Sequence, residues 1–234
     1  MLRYLLGVVV TATLCSLSAC GEVHDGQAAM RAANDATLTD FQKYVALSGV
    51  SEQMGCDGLT IFSGRDRDCL DLKGRVAAQA TNHLGMAVAA GDVKAARELL
   101  GDSYIQRATM ERFSAAILSR ADGLQGAKSE EAKIYLRLAG AILRDGIGVP
   151  RNYDRAVTFY RASWVAGESD AAGLVAGTYE QARDVKNAYL WALRCGNACA
   201  GGPWITATTL ERQLDAASIK LIQSKAADGS VMSL

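Results

Sequence analysis

The stretch Ala139–Gly167 reads AGAILRDGIGVPRNYDRAVTFYRASWVAG, and the rest of the chain is organised around it. Small and apolar residues that lead into it recur at steps of four, three and four, the period of one helical face: Ala132, Leu136, Ala139 and Leu143. Further on, Asn152 can cap a second helix. Gly146 and Gly148 can supply the positive φ that a tight turn between helices demands. The stretch therefore predicts two helices joined by a short turn.

Composition favours the same class of structure. Of 234 residues, half are hydrophobic, only 6% are aromatic and two are proline, which suits helices packed through small side chains. The 25 basic residues balance the 25 acidic ones, so no net field attracts a polyanion. We therefore expect an all-α protein, and we do not expect a nucleic-acid partner.

The N-terminus has the features of a sorting signal. Arg3 precedes a short apolar run, Tyr4–Leu14, which is too short to span a bilayer comfortably. The sequence Leu17-Ser18-Ala19-Cys20 that follows resembles a bacterial lipobox. This resemblance implies a signal peptide over residues 1–19 and a lipid on Cys20. The alternative is an ordinary secretory signal with an incidental cysteine.

Lipidation at Cys20 would tether the mature chain to a membrane through acyl chains, with residues 20–27 as the polar tether. The residue after the cysteine is Gly21, not the aspartate that commonly retains lipoproteins on the inner membrane. We therefore expect a lipid-anchored protein on the periplasmic face of the outer membrane.

Four cysteines remain after Cys20, and an even number in an oxidising compartment indicates disulfides. They are Cys56, Cys69, Cys195 and Cys199. Three pairings are possible, and short sequence separation favours Cys56 with Cys69 and Cys195 with Cys199. Metal binding is a poorer interpretation because the spacings are unusual and no histidine lies nearby.

The region 28–130 is predicted to be helical but irregular. Thr39 caps a helical piece that includes Tyr44, and Asp92 caps a later helix. Between them we expect an irregular segment, Gly49–Arg67, stapled by the first disulfide, and then a helix over Leu70–Ala90. His83 in that helix is interpreted as a packed core histidine.

After the organising stretch, a further helix pair is predicted over Ser169–Gln181 and from Asp184 to about Cys195. The run Ala200–Pro203 then breaks the chain. Thr208 and Glu211 suggest a capping box for one last helix. Its apolar face would hold Leu210, Leu214, Ala217 and Leu221. The region 201–234 is therefore expected to be a C-terminal capping helix.

The organising stretch resembles the Sel1-like repeat, a relative of the tetratricopeptide repeat. It carries the glycine of the first helix, the Gly-x-Gly-Val turn, the capping position, the basic–alanine pair, the aromatic pair and the closing glycine. These are Gly140, Leu143, Gly146, Gly148, Val149, Asn152, Arg155, Ala156, Phe159, Tyr160 and Gly167. A second unit lacks the Gly-x-Gly-Val turn but keeps Ala171, Ala176, Tyr179, Asp184, Ala188 and Trp191. A weaker unit lies over residues 84–96.

The resemblance implies antiparallel helix pairs over residues 131–200, stacked as a short α-solenoid, with a less regular N-terminal helical part that includes a degenerate repeat. Gly140 and Ala156 would let paired helices approach closely. Four aromatic side chains would fill the gaps between pairs: Tyr160, Trp164, Tyr179 and Trp191. The concave face of such a solenoid is a protein-binding surface.

No constellation for catalysis, metal binding or cofactor binding stands out, so we expect no enzyme and no cofactor. Sel1-like lipoproteins often act as adaptors, and some act as immunity proteins against antibacterial phospholipase effectors of type VI secretion. The resemblance thus implies partner binding, with immunity against a lipase-like effector as the sharper hypothesis. The alternative is an assembly factor of an envelope secretion or conjugation machine. A β-lactam-binding or hydrolysing protein is a third hypothesis, but no serine–lysine motif supports it.

Overall fold

A computed structural model describes residues 25–56, 64–101, 104–199 and 205–234, and every regular element within these ranges is helical. The all-α prediction is thus confirmed. Residues 25–33 are helical and are called α1. They are followed by α2 (Asp40–Gln53), α3 (Gly64–Ala90), α4 (Val93–Glu98), α5 (Tyr104–Gly123), α6 (Glu130–Asp145), α7 (Tyr153–Val165), α8 (Ala171–Gln181), α9 (Val185–Cys195), a 3₁₀ turn (Gly196–Cys199), α10 (Ala207–Glu211) and α11 (Ala216–Ala226).

Several predictions lie outside the described residues. They are the signal peptide, the lipidated Cys20 with most of the tether, the centre of the stapled segment (57–63) and the chain break at 200–204. Residues 25–27, which the sequence assigns to the tether, already belong to α1.

The chain forms two compact units. The first consists of the described residues of Met1–Ala95 and Ser103–Thr109, and the second of those of Ala96–Asp102 and Met110–Leu234.

In the first unit, α2 packs against α3. Thr39 caps α2 as predicted, because its hydroxyl accepts from the Gln42 amide while the Gln42 side chain accepts from the Thr39 amide. The prediction that the chain is irregular from Gly49 onward is wrong, since α2 continues to Gln53. Leu47 and Ser51 lie one turn apart on the buried side of α2, and their burial outweighs the ~1 kcal/mol helix penalty of the glycine between them.

Helix α3 also begins earlier than predicted, at Gly64, where residues 70–90 were expected. Its inner face is fully buried at Val76, Ala80 and Leu84. His83, predicted to be a simple core histidine, lies at the edge of this face. Its Nδ1 is 2.9 Å from Oδ1 of Asp40 in the first turn of α2.

The second unit contains the organising stretch as the antiparallel pair α6 and α7. Ser129 and Asn152 cap these helices, each through a side-chain oxygen that accepts a backbone N–H three residues later. Gly146 and Gly148 have φ of 70° and 66°, as the predicted turn requires. At Gly140, a Cβ would lie 2.5 Å from the ring of Tyr160, so only glycine fits this close approach.

Helices α8 and α9 form the next pair. Asp184 caps α9 through the Asn187 amide, as the repeat pattern predicts. The shorter turn lacks glycine, and Arg183 takes the left-handed conformation instead, with φ 64°. α9 also packs against α10 and α11.

The prediction of one long C-terminal helix is wrong. Thr206, not Thr208, caps the short α10, and Asp215 caps a separate helix α11 through the Ser218 amide. The break arises because Asp215 offers the backbone a cap in place of continued helix. As a result Leu221 is 56% exposed, and Ile222 is the buried residue.

Both cysteine pairs lie at bonding distance in the local pairing favoured from sequence. The Cα atoms are 5.7 Å apart for Cys56 and Cys69, and 5.5 Å apart for Cys195 and Cys199. These separations are in the normal range for disulfides. The distances between the paired cysteines therefore confirm the predicted local pairing.

Candidate protein-binding surface

Helices α7, α8 and α9 bring two arginines and three aromatic side chains together: Arg161, Trp164, Tyr179, Trp191 and Arg194. We call this group the cation–aromatic cluster. Trp191 is fully buried at its centre, and Trp164 meets it edge to face with ring centroids 5.2 Å apart. This is a favourable aromatic geometry, and it joins α7 and α9 through two nearly perpendicular rings.

The two guanidinium groups lie close to these tryptophan rings. Cζ of Arg194 is 4.8 Å from the Trp191 ring centroid and 5.8 Å from that of Trp164. Cζ of Arg161 is 6.0 Å from the Trp191 centroid. Each distance is within the range of a cation–π interaction, which holds a charge near the rings without neutralising it.

Within the part of the chain that the structure describes, neither arginine of the cluster has a carboxylate within 4.0 Å. Other arginines of the same helix pairs do. Arg137 lies 2.9 Å from Asp170, Arg144 lies 2.7 Å from Asp145, and Arg155 lies 2.8 Å from Asp122. The two arginines of the cluster thus lack a direct ion pair, although the carboxylates of Asp154, Asp184 and Asp228 act on the cluster at longer range.

Arg194 is held in place by backbone carbonyls. Its Nε donates to the Ala226 carbonyl at 3.4 Å and its Nη2 to the Asp228 carbonyl at 2.6 Å. Its Nη1 is buried and has no hydrogen-bond partner among the described residues. Burial lowers the pKa of this guanidinium, while the Asp228 carboxylate acts to raise it and Arg161 to lower it.

Tyr179 lies at the edge of the cluster and is half-exposed. Burial raises the pKa of its phenol, and the charge and hydrogen bond of Arg161 oppose that increase. Tyr179 and Trp164, predicted to fill gaps between helix pairs, are both partly buried. The fully buried tyrosine of this helix pair is Tyr189, which the repeat pattern does not mark.

The other repeat-defining residues take the packing roles expected of them. Ala156, Tyr160, Ala188 and Trp191 have no exposed surface. Gly167 ends α7 with φ 107°. The hydroxyl of Tyr160 is buried and has no hydrogen-bond partner in the described part of the chain, so burial raises the pKa of this phenol strongly.

Sequence reasoning missed both arginines of the cluster, although a signal was present. Arg161 precedes Trp164 by three residues, and Arg194 follows Trp191 by three. Side chains three apart on a helix are neighbours, so each pair was readable as a cation beside an aromatic ring. The sequence did not show that these two arginine–tryptophan pairs contact each other in the folded chain.

A second polar group lies where α7 leads into α8. Arg137 bridges Glu168 and Asp170, at 3.6 and 2.9 Å. Burial, then the hydrogen bond with Asp170, raises the pKa of Glu168, while Arg137 and Lys133 oppose the increase. An ion pair of this kind has a structural role, because the arginine engages both carboxyl groups.

Glu130 and Glu131 at the start of α6 also have structural partners. Glu130 pairs with Arg97 at 2.6 Å and with Lys133 at 3.5 Å, and Glu131 pairs with Arg120 at 2.5 Å. No group of three or more metal-ligating side chains occurs in the described residues.

Searches with the whole chain against protein-family models, curated proteins and solved structures found no match. Among the residues that the structure describes, no helix is both long and apolar enough to cross a membrane.

Proposed function

We propose that this protein is a non-enzymatic, lipid-anchored protein of the bacterial envelope that binds another protein through its helical repeats. In this proposal the helix pairs of residues 131–200 stack as a short Sel1-like α-solenoid. The lipid on Cys20 holds it at the periplasmic face of the outer membrane. The observation that carries the binding function is the cation–aromatic cluster, with two guanidinium groups on one tryptophan and no carboxylate partner within 4.0 Å in the described residues.

The chemistry of this cluster suits a protein partner. Arginine and tryptophan are the residue types most enriched among those that dominate binding energy at interfaces. A carboxylate on the partner could reach Arg161 and form the direct ion pair that Arg161 lacks among the described residues. We therefore expect an acidic side chain of the partner to lie over Arg161.

The sharper form of the proposal is an immunity protein that blocks a lipase-like antibacterial effector, with the anchor holding it close to the lipid substrate. An assembly factor of an envelope secretion or conjugation machine is the second candidate. The lack of a carboxylate within 4.0 Å of Arg161 in the described residues favours the first, because an arginine without an internal ion pair can form one with an incoming partner.

The test is recovery of partners from envelope extracts with the chain from Gly21 onward as bait. Arg161→Gln removes one of the two positive charges of the cluster. Arg212→Gln, an exposed arginine in the same unit, is the matched control. We expect a specific partner that is retained by the control and lost with Arg161→Gln, and an effector-like lipase would identify the immunity role.

Two results would count against the proposal. One is a partner that binds the Arg161→Gln bait as well as the parent chain, which would move the interface elsewhere. The other is the absence of any partner together with turnover of a small substrate by the purified chain, which would replace binding with catalysis.

A further inference from the structure

Helix α9 holds the end of the chain through a stripe of three side chains. Asn187, Trp191 and Arg194 occupy positions i, i+4 and i+7, which lie on one face of a helix. Nη2 of Arg194 donates to the Asp228 carbonyl at 2.6 Å, and Nε1 of Trp191 donates to the Met232 carbonyl at 3.2 Å. Oδ1 of Asn187 accepts from the amide of the last residue, Leu234, at 2.8 Å.

All three bonds reach the main chain of residues 228–234, which we call the tail. After α11 the tail reverses direction in a turn closed by the Val231 amide and the Asp228 carbonyl at 3.2 Å. It then runs without helical structure back along α9, from Trp191 towards Asn187.

The spacing of the bonds fits an extended chain. Two residues of extended chain cover roughly 6.8 Å, and four residues of helix cover about 6.0 Å. Met232 and Leu234 are two apart, and Trp191 and Asn187 are four apart. The spacing of Asn187 and Trp191 on the helix therefore matches the spacing of alternate residues in an extended chain. This match does not depend on the side chains of the extended chain.

We propose that this stripe is a binding site for an extended segment of a partner protein, and that the tail is its resident occupant. The proposal deepens the proposed function, because it rests on partner binding and adds the form of the partner. The site recognises main-chain groups, so it selects backbone conformation first and side chains second.

The side-chain preference follows from the cleft beside the stripe. A cleft of about 370 Å³ lies between α9 and α11; its apolar lining is Leu221, Ile222 and Leu234, and its polar lining is Asp184, Lys186, Asn187 and Ser218. Leu221 and Leu234 are still 56% and 48% exposed, so the tail covers this apolar surface incompletely. A segment with a bulkier apolar side chain at the place of Leu234 would cover more of it and displace the tail.

The experiment measures binding of a fluorescein-labelled peptide with the sequence of residues 228–234, by anisotropy, to the chain from Gly21 onward. Leu234→Pro removes the amide that Asn187 holds and so weakens the attachment of the tail, which Trp191 and Arg194 still hold. Ser233→Pro is the matched control, since the Ser233 amide has no hydrogen bond to any of the residues that the structure describes. Adding Asn187→Ala to Leu234→Pro removes the acceptor from the site itself.

One net hydrogen bond corresponds to roughly a fivefold change in affinity. We expect the Leu234→Pro chain to bind the peptide at least about fivefold more tightly than the parent and Ser233→Pro chains do. Asn187→Ala should then weaken that binding by about fivefold. Equal affinity for all four chains, or no binding to a Leu234→Pro chain whose circular dichroism shows native helix, would overturn the proposal.

The two proposals fail separately. If the peptide binds as expected but no partner is recovered through Arg161, the stripe stands and the proposed function falls. If Arg161 governs partner recovery but Leu234→Pro does not bind the peptide, only the stripe is refuted.

Discussion

The contact between Gly140 and Tyr160 offers the most direct test of how the α6–α7 pair is built. A Cβ at Gly140 would lie 2.5 Å from Cδ1 and Cε1 of Tyr160 and 2.8 Å from Cζ. Tyr160 is fully buried, and the atoms in the way belong to its rigid ring. Gly140→Ala must therefore push the two helices apart or force the ring out of its position.

Two effects of opposite sign decide the magnitude. Alanine in place of glycine inside a helix stabilises by about 1 kcal/mol. Overpacking a dense core by one methyl group typically costs about 1–3 kcal/mol. Since carbon atoms prefer a separation of roughly 3.5–4.0 Å, a gap of 2.5 Å places this site at the upper end of that cost. We expect a net loss of roughly 1–2 kcal/mol.

The assay is thermal unfolding followed by circular dichroism, where such a loss lowers Tm by roughly 3–8 °C. Gly177→Ala is the matched control. Gly177 also lies inside a helix of the second unit, but a Cβ there would meet nothing within 4 Å. It should gain the helix propensity alone and raise the stability by up to about 1 kcal/mol.

A double-mutant cycle with Tyr160 separates the clash from other causes. Tyr160→Leu removes the ring and should relieve most of the cost of Gly140→Ala, whereas Tyr160→Phe keeps the ring and should not. If Gly140→Ala is as stable as Gly177→Ala, or if its cost is the same in both Tyr160 backgrounds, the helices do not approach as described and the reasoning is refuted.

Two further predictions concern the turn and the ion pair. Gly146→Val should cost about 1–2 kcal/mol, because φ at Gly146 is 70° and a β-branched residue resists that conformation, whereas Gly146→Asn should cost clearly less; equal melting temperatures would count against the turn. Because the pKa of Glu168 is raised from its usual 4.5, the folded chain keeps a proton that the unfolded chain loses, and stability falls as pH rises from that value through the raised one. Glu168→Gln should therefore gain stability relative to the parent in urea unfolding as pH rises above 4.5, and a stability difference that does not change with pH would contradict this.

Local features were predictable from the sequence because their causes lie within a few residues. The caps at Thr39, Ser129 and Asp184 each depend on a side chain and an amide three positions on. The φ values of the glycine turn are likewise local, although a Cβ at Gly148 would also meet the Glu111 carbonyl oxygen and Ser114 of α5. The disulfide pairing depends on short separation. The repeat pattern also marked Gly140 and Tyr160, but it did not give the distance between them.

Features set by neighbouring helices were predicted less well. α2 continues through Gly49 because its buried side packs on α3. The local sequence does not indicate this packing. Tyr179 and Tyr189 are the same residue type, yet Tyr179 is only partly buried and Tyr189 is fully buried. This difference is set by the packing of α8 and α9. The prediction of a single last helix is wrong because Asp215 caps α11 through the Ser218 amide instead of continuing the preceding helix.

The sequence by itself determined that this is a helical protein, where many of its helices begin and which glycines turn the chain, and it favoured the local cysteine pairing. These follow from backbone conformation and short-range hydrogen bonds. Only the tertiary structure decided that Arg161 and Arg194 share one tryptophan, and that the tail lies along Asn187, Trp191 and Arg194. Those arrangements depend on which faces of separate helices meet, and that is set by the packing of the whole unit rather than by any one segment.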